Sequence, residues 1–216
     1  MKKILVTAGA TVVPIDKVRS ITNIFTGRTG ASVAEYLSHN SEVIILTSNP
    51  DLTKETKSLK VVKYKTYDDL FSLMEQIITH ESLDVIIHSA AVSDYKVDGV
   101  LCKQGQYLVE LDKSGKVSSS FSELYLRLTP TIKIVDLIKN AWAFRGTLVK
   151  FKLQVGISDG ELIKIAQKSM LQSKADFIVA NCLEWVKEYA YIIRAKDGQI
   201  IKVSRAELPM SLAKEL

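Results

Sequence analysis

Lys3-Ile4-Leu5-Val6-Thr7-Ala8-Gly9-Ala10-Thr11, followed after a gap by Thr26-Gly27-Arg28-Thr29-Gly30, says more about the architecture than any other part of the chain. The apolar run over residues 3–7 predicts a buried strand, and Gly9 closes it. A dinucleotide-binding turn uses three glycines in one tight loop: for the turn, for close approach of phosphate, and for helix packing. Here residues 10–26 separate Gly9 from Gly27 and Gly30, and they carry Pro14, Asp16, Arg19 and Asn23. That arrangement suspends polar side chains above the carboxyl end of a sheet. It also sets them beside a helix start expected at Gly30, where bare backbone N–H groups attract anions. The alternative is a glycine-rich turn that only packs, which would not by itself call for an arginine and an asparagine.

Outward from this segment the pattern alternates. Ala31, Val33, Ala34 and Leu37 repeat at helical spacing and residues 43–46 form an apolar run, giving a first β-α-β unit. Val61 and Val62 mark a third strand, Leu70, Leu73, Ile77 and Ile78 a second amphipathic helix, and residues 85–87 a fourth strand. Pro130 reads as the first-turn proline of a helix through Ile134, Leu137 and Ile138. A strand at 148–153, a helix at 161–171 and a strand at 177–180 follow. The fold class expected is α/β, a Rossmann-like, mostly parallel sheet covered by helices on both faces. Two regions depart from it. Residues 96–122 lose periodicity and contain Gly99, Gly105 and Gly115, as expected of a flap insertion over the sheet edge. Residues 189–194 and 199–203 flank Lys196-Asp197-Gly198, which predicts a C-terminal β-hairpin. Residues 107–111 and 125–128 are candidates for further non-parallel strands. No repeat or linker divides the chain, so residues 1–216 read as one domain.

With 216 residues, 47% of them hydrophobic, the chain can bury one sizeable core. Its formal charge of +5 is modest, and the basic residues are scattered rather than interleaved with aromatics. That pattern fits an anionic small molecule and argues against nucleic acid. No charged leader opens the chain and no apolar segment approaches the roughly 20 residues that span a bilayer, so a cytoplasmic protein without a membrane partner is expected. Cys102 and Cys182 have no companions at ligand spacing and read as reduced thiols. His39, His80 and His88 are too dispersed for a metal cluster; His88, ending a strand, is either a core histidine or a ligand contact.

Open α/β sheets bind ligands at strand carboxyl ends. Here those ends present residues 9–11, 47–49 and 89–95, the segment after Leu153, and Asn181. Ser89-Ala90-Ala91-Val92-Ser93-Asp94-Tyr95 offers two small residues for close approach and then a carboxylate. Asp94 is either an acceptor for a ligand or a cap for the segment that follows. The second strand ends in Thr47-Ser48-Asn49, without the acidic residue that holds an adenosine ribose, and no tyrosine is followed four residues later by lysine. Nicotinamide chemistry is disfavoured on both counts.

Thr7-Ala8-Gly9-Ala10-Thr11, Pro14-Ile15-Asp16-Lys17-Val18-Arg19, Ile21-Thr22-Asn23, Thr26-Gly27 with Gly30, and Ala90-Ala91-Val92-Ser93-Asp94-Tyr95 together resemble phosphopantothenate–cysteine ligase, also called phosphopantothenoylcysteine synthetase. Gly115-Lys116-Val117-Ser118-Ser119, Leu128-Thr129-Pro130 with Ile132, Phe151-Lys152-Leu153 and residues 175–181 extend the resemblance over the whole chain, which looks like the free-standing bacterial form. The resemblance implies a ligase of coenzyme A biosynthesis. CTP activates 4′-phosphopantothenate as an acyl-cytidylate with loss of pyrophosphate, and the amine of cysteine then displaces CMP. Neither step needs a protein nucleophile.

By matching position, the resemblance makes Asn23 and Lys116 catalytic: Asn23 contacts the activated acyl group, and Lys116 closes over the intermediate from the flap. Asn23, Ala90, Ala91 and Asp94 bind the substrate, and Arg19 reaches the substrate phosphate of a neighbouring subunit, which implies a homodimer. Gly9, Gly27, Gly30, Pro130, Ile132, Phe151 and Asn181 match nucleotide-binding positions, Phe151 being equally readable as a core aromatic. Mg2+ is implied as a bridge between triphosphate oxygens with few protein ligands, so no metal-binding residue is assigned. Ala10, Val13, Phe25, Thr131 and Cys182 depart from the family pattern, and the ring of Phe25 would crowd a phosphate loop. These departures motivate the alternative of a divergent member that binds nucleotide or phosphopantothenate without efficient turnover. A flavin or nicotinamide oxidoreductase is a more distant class.

Overall fold

Strands that are apolar on both faces need helices on both sides, and this chain supplies them in alternation. The computed structural model describes residues 1–216. In chain order it contains β1 (Lys2–Ala8), β2 (Val12–Pro14), β3 (Ser20–Thr22), α1 (Arg28–Leu37), β4 (Ser41–Thr47), β5 (Leu59–Lys63), α2 (Tyr67–His80), β6 (Val85–His88) and β7 (Tyr95–Gln104). There follow β8 (Tyr107–Glu110), β9 (Leu124–Pro130), α3 (Ile134–Asn140), β10 (Thr147–Gln154), α4 (Asp159–Ser173), β11 (Phe177–Cys182), β12 (Tyr189–Arg194), β13 (Ile200–Ser204) and α5 (Leu208–Glu215).

The main sheet runs β13-β12-β11-β10-β6-β1-β4-β5. Its first-wound strands are parallel, and β12 and β13 close one edge as the antiparallel hairpin expected around Lys196-Asp197-Gly198. Side chains alternate between the faces. Ile4, Val6 and Ala8 of β1 pack with α1 and α5, whereas Leu5 packs with α2, α3 and α4. The helices α2 and α4 start at capping boxes, Thr66 with Asp69 and Ser158 with Glu161, which satisfy their first N–H groups internally. Helix α1 has no side-chain cap and no acidic residue in its first turn. No helix is long and apolar enough to cross a membrane.

The structure corrects one expectation and adds elements that the sequence pattern does not mark. Pro130 does not open a helix; it ends β9, and α3 begins at Ile134. The proline is tolerated because β9 is an edge strand, where a missing N–H breaks no ladder. Residues 96–122 hold more regular structure than their sequence pattern suggests. Residues 96–104 and 107–110 belong to β7 and β8, which with β9 form a three-stranded antiparallel sheet in the order β8-β7-β9, and residues 111–122 carry no helix or strand. A β-bulge between Val97 and Gly99 shifts the inward set to Val97, Val100 and Cys102, which hides the period of two. Residues 10–26 contain the small hairpin β2–β3. Helix α5, unread in the sequence, packs Leu208 and Leu212 beside α1.

One polar row interrupts the face under α2, α3 and α4. Thr7, His88 and Lys150 are register neighbours on β1, β6 and β10, all buried. The Thr7 hydroxyl lies 3.0 Å from His88 Nδ1, so His88 is a satisfied core histidine and not a ligand contact. Lys150 Nζ donates to the Ser169 carbonyl at 3.1 Å and to Ser173 Oγ at 3.0 Å, with no carboxylate in reach. Burial pushes the His88 imidazole down to about 4, helped by the charge of Lys150, and burial pushes the Lys150 ammonium down to about 8. Both groups take up a proton more readily in the unfolded chain. The cost of Lys150 is therefore present in full below pH about 8, and that of His88 grows as the pH falls from about 6.5 towards about 4. Lys150→Met is expected to raise stability at pH 7 by about 1–3 kcal/mol in urea denaturation. His88→Gln should flatten the loss of stability between pH 6.5 and 4; an unchanged acid slope would assign that loss to other groups.

Candidate functional site

The reversal after β1 is made by glycines with positive φ, Gly9 at +87° and Gly27 at +91°. A β-carbon on Gly27 would fall on the backbone nitrogen of Gly9, and one on Gly9 would strike the Ser48 hydroxyl. Gly30 is not the helix start. It lies inside the first turn of α1, where a β-carbon would come 2.5 Å from Ser89 Oγ and 2.7 Å from Ala8 Cβ. The three glycines thus meet as turn, contact and packing residues although the hairpin β2–β3 is spliced between the first two. Gly27 is the N-cap of α1 and offers no side-chain acceptor, so the first N–H groups of the helix stay open towards solvent or an anion.

Facing the glycines is the turn after β6, hung from the chain that leaves β1. Ala91 N donates to the Gly9 carbonyl at 2.8 Å and Thr11 N to the Ala91 carbonyl at 3.3 Å. Ala90 N donates to Thr7 Oγ1 at 3.1 Å, and Ser93 N to Thr11 Oγ1 at 2.9 Å. Asn23 joins the same knot, its Nδ2 donating to the Ala91 carbonyl at 3.1 Å. Thr131, one of the departures from the family pattern, fixes the far side. Its N–H reaches the Asp94 carbonyl at 2.9 Å and its hydroxyl the Ser93 carbonyl at 2.7 Å. The Asp94 carboxylate makes no hydrogen bond and caps nothing; β7 follows it.

Between these walls lies a cavity of about 690 Å³, within the range of small-molecule sites. It brings together Gly9, Gly27, Gly30, Asn23, Ala90, Ala91, Asp94, Phe151 and Asn181. Phe151 both lines it and packs against the core, and Asn181 is buried. Phe25 is half-buried in the wall and does not fill the space; the cavity stays open beside the ring. Ser48 and Asn49, expected on this rim, line a separate cavity of about 470 Å³ behind residues 23–26.

Four cations, Arg28, Lys152, Lys187 and Arg205, line the main cavity against the single carboxylate of Asp94. None of the four is in an ion pair. Sequence reasoning assigned none of them a role. Arg28 and Lys152 stand inside motifs whose signal lies in their glycines and phenylalanine, while Lys187 and Arg205 follow β11 and β13, where the strand-end rule for parallel sheets gives no signal.

Arg19, Lys116, Pro130 and Ile132 do not line the cavity. Ile132 is exposed, with its carbonyl engaged by the Tyr67 hydroxyl at 2.7 Å. Arg19 is held in the turn of β2–β3 by Asp16, whose Oδ2 accepts from Arg19 Nη2 at 2.6 Å and Nε at 3.0 Å. Asp16 also accepts from the backbone N–H of Arg19, Val18 and Val117. The Arg19 guanidinium first, then these N–H groups, hold the Asp16 carboxyl well below the usual carboxylate range. Arg19 Nη2 further reaches the Val117 carbonyl at 2.7 Å, and Lys17 N the Gly115 carbonyl at 3.2 Å. The backbone on either side of Lys116 is thereby tied to the hairpin, and the Lys116 side chain stays exposed.

The description "DNA/pantothenate metabolism flavoprotein C-terminal domain" matches residues 1–213. The chain belongs to this family. It is 30% identical to the coenzyme A biosynthesis bifunctional protein CoaBC of Thermococcus kodakarensis, over all of this chain and 49% of that protein. The chain spans about half the length of the curated relatives it matches. The crystal structure of the DNA/pantothenate metabolism flavoprotein from Streptococcus pneumoniae is similar with a TM-score of 0.85 at 30% identity, covering 100% of this chain and 98% of that one. A Cab2 mutant in complex with phosphopantothenate-cysteine shares the fold, with a TM-score of 0.75 at 16% identity over 99% of this chain and 86% of that one.

In this family domain the glycine contact leaves no room for a single methyl group. Gly27→Ala is expected to cost about 1–3 kcal/mol in chemical denaturation, from positive φ and the collision with Gly9. Gly160→Ala, in α4 with open space around the added carbon, should be neutral or slightly stabilising. Equal effects of the two changes would remove the steric argument.

Proposed function

We propose that the chain is a phosphopantothenate–cysteine ligase that uses CTP. The observation that carries this assignment is the glycine cradle beside an uncapped helix start, ringed by four unpaired cations, with the Asn23 amide and the Asp94 carboxylate on the opposite wall. Such a cavity suits a multiply charged anion held against a second substrate. Kinship with CoaBC proteins and likeness in fold to a Cab2 complex holding phosphopantothenate-cysteine support the same reaction.

The substrate carboxylate attacks the α-phosphorus of CTP in line. An O–P bond forms, the bond to pyrophosphate breaks, and an acyl-cytidylate results. The amine of cysteine then adds to the acyl carbonyl, loses its proton to solvent, and expels CMP. Positioning and charge stabilisation account for the catalysis. Asn23, anchored through one N–H on Ala91, keeps its second N–H for the acyl oxygen as charge develops. Ala90 and Ala91 admit the pantothenate arm, and Asp94 accepts a hydroxyl or amide hydrogen from it. Phe151 and Asn181 receive the nucleoside. Lys116 closes over the activated acyl group once substrates fill the cavity, excluding water. With one free carboxylate in the lining, a magnesium ion would take most of its ligands from phosphate oxygens and water, and would withdraw charge from the departing pyrophosphate.

A homodimer completes this proposal. Val18, Ile21 and Ile24 near β2–β3 and Tyr107 and Leu108 on β8 expose large apolar side chains. We assign these side chains to the contact between copies, and Arg19 on the same hairpin then serves the phosphate of a partner's substrate.

Purified protein given phosphopantothenate, cysteine and Mg2+ is expected to release pyrophosphate and form the amide with CTP in preference to ATP. Asn23→Asp and Lys116→Gln should each lower kcat at least about 100-fold while remaining folded. Wild-type turnover in either variant would strip that residue of its role, and nucleotide binding without any amide would favour the divergent, non-catalytic member. Leu108→Glu is expected to shift the mass in multi-angle light scattering from dimer to monomer; an unchanged mass would place the contact elsewhere.

A further inference from the structure

We propose that Arg205 is the residue that reads the pyrophosphate portion of the nucleotide, so that the cavity distinguishes a triphosphate from a monophosphate. The proposal rests on the ligase assignment and adds to it a residue for which the resemblance gives no role.

Arg205 follows β13 and turns its guanidinium into the main cavity. It bridges two separate elements of the site. Nη1 donates to Asn181 Oδ1 at 3.3 Å at the end of β11, and Nη2 donates to Thr29 Oγ1 in the first turn of α1. Both partners are neutral acceptors that fix the orientation of the fork and leave its charge uncompensated. The rest of its donor set has no acceptor in the protein. The nearest carboxylate along the chain, Glu207, is occupied by the Ser204 hydroxyl at 2.6 Å.

The other three cations differ from Arg205. Arg28 and Lys187 are exposed, Lys152 is half-buried on its strand, and no side-chain hydrogen bond holds any of the three. Arg205 is partly desolvated, enough that burial lowers its pKa, and it is held in place by two protein contacts. A desolvated guanidinium without a counter-ion costs stability unless an anion completes it. Its position against Thr29 sets it beside the open N–H groups at the start of α1, and these two features together bracket a planar fork and a helix terminus around one anion. Two phosphoryl groups, one on each, satisfy the pair better than one.

Isothermal titration with inorganic pyrophosphate and with CMP, each in the presence of Mg2+, tests this on the wild type, Arg205→Met and Arg205→Lys. Arg205→Met is expected to weaken pyrophosphate about 10-fold or more and Arg205→Lys by a smaller factor, with CMP changed less than about twofold. Pyrophosphate binding at wild-type strength in Arg205→Met, with a lowered melting temperature, would overturn the proposal and leave Arg205 as a tie between β11 and α1. If Arg205→Met fails to fold, Thr29→Val, which removes one anchor of the fork, must weaken pyrophosphate about threefold; no change would overturn the proposal equally. Its failure is separable from that of the ligase assignment. Amide formation with Arg205-independent pyrophosphate affinity sinks this inference alone, whereas Arg205-dependent pyrophosphate affinity without amide formation sinks the ligase assignment and leaves this one standing.

Discussion

The site depends on one steric fact: the backbone of Gly27 lies against the backbone of Gly9, with no room between them for a β-carbon. That contact sets the start of α1 directly over the end of β1, although the hairpin β2–β3 intervenes in sequence. It also positions Gly30 against Ser89, so that the helix, the first strand and the turn after β6 become one unit. Everything that lines the cavity hangs from that unit or faces it. The two apolar cores on either side of the sheet hold the strands, but they would do so equally well around a differently shaped rim.

The distribution of charge divides the rim into a neutralised part and an open part. In the hairpin turn the Asp16 carboxylate, with its side chain fully buried, is matched by the Arg19 guanidinium and by three backbone N–H groups. There the charges are matched, and only Arg19 Nη1 is left without an acceptor in the protein. In the cavity the reverse holds, since four cations face one carboxylate and none is paired. Paired charges fix a structure, and unpaired charges converging on a concave wall are what an anionic ligand completes. The polar row of Thr7, His88 and Lys150 lies between these extremes. It is buried and hydrogen-bonded, it is costly in stability, and it sits directly beneath the turn that carries Ala90 and Ala91.

The alternating architecture was legible because parallel strands such as β1, β4 and β6 are apolar on both faces and α1 and α2 are amphipathic over two or more turns. What escaped was structure whose signal is short or broken. The bulge after Val97 erases the period of two in β7, and α5 commits only two buried residues. Pro130 carries the same local signal at the end of an edge strand as at the start of a helix. For the site, nine residues chosen from glycine spacing, small-residue turns and family resemblance converge on one cavity. Arg19 and Lys116 do not, because their placement is decided by Asp16, a contact between segments about a hundred residues apart that no local pattern announces. Arg205 was invisible for a related reason: its partners are a helix first turn and a strand end brought together only by the sheet order.

The hairpin inserted between Gly9 and Gly27 does more than lengthen the turn. At its tip Asp16 grips the backbone at Val117, and just past its second strand Asn23 grips the carbonyl of Ala91. One short segment is therefore fastened both to the loop that carries Lys116 and to the turn after β6. A displacement of the loop carrying Lys116 pulls on the hairpin, and a displacement of the hairpin pulls on the turn that carries Ala90, Ala91 and Asp94. The hairpin is small, with three residues in each strand, so it can deform little before one of these bonds breaks. Asn23 and Lys116 are consequently not independent groups. A motion of the Lys116 loop towards the cavity must either carry Asn23 with it or release the clamp at Asp16.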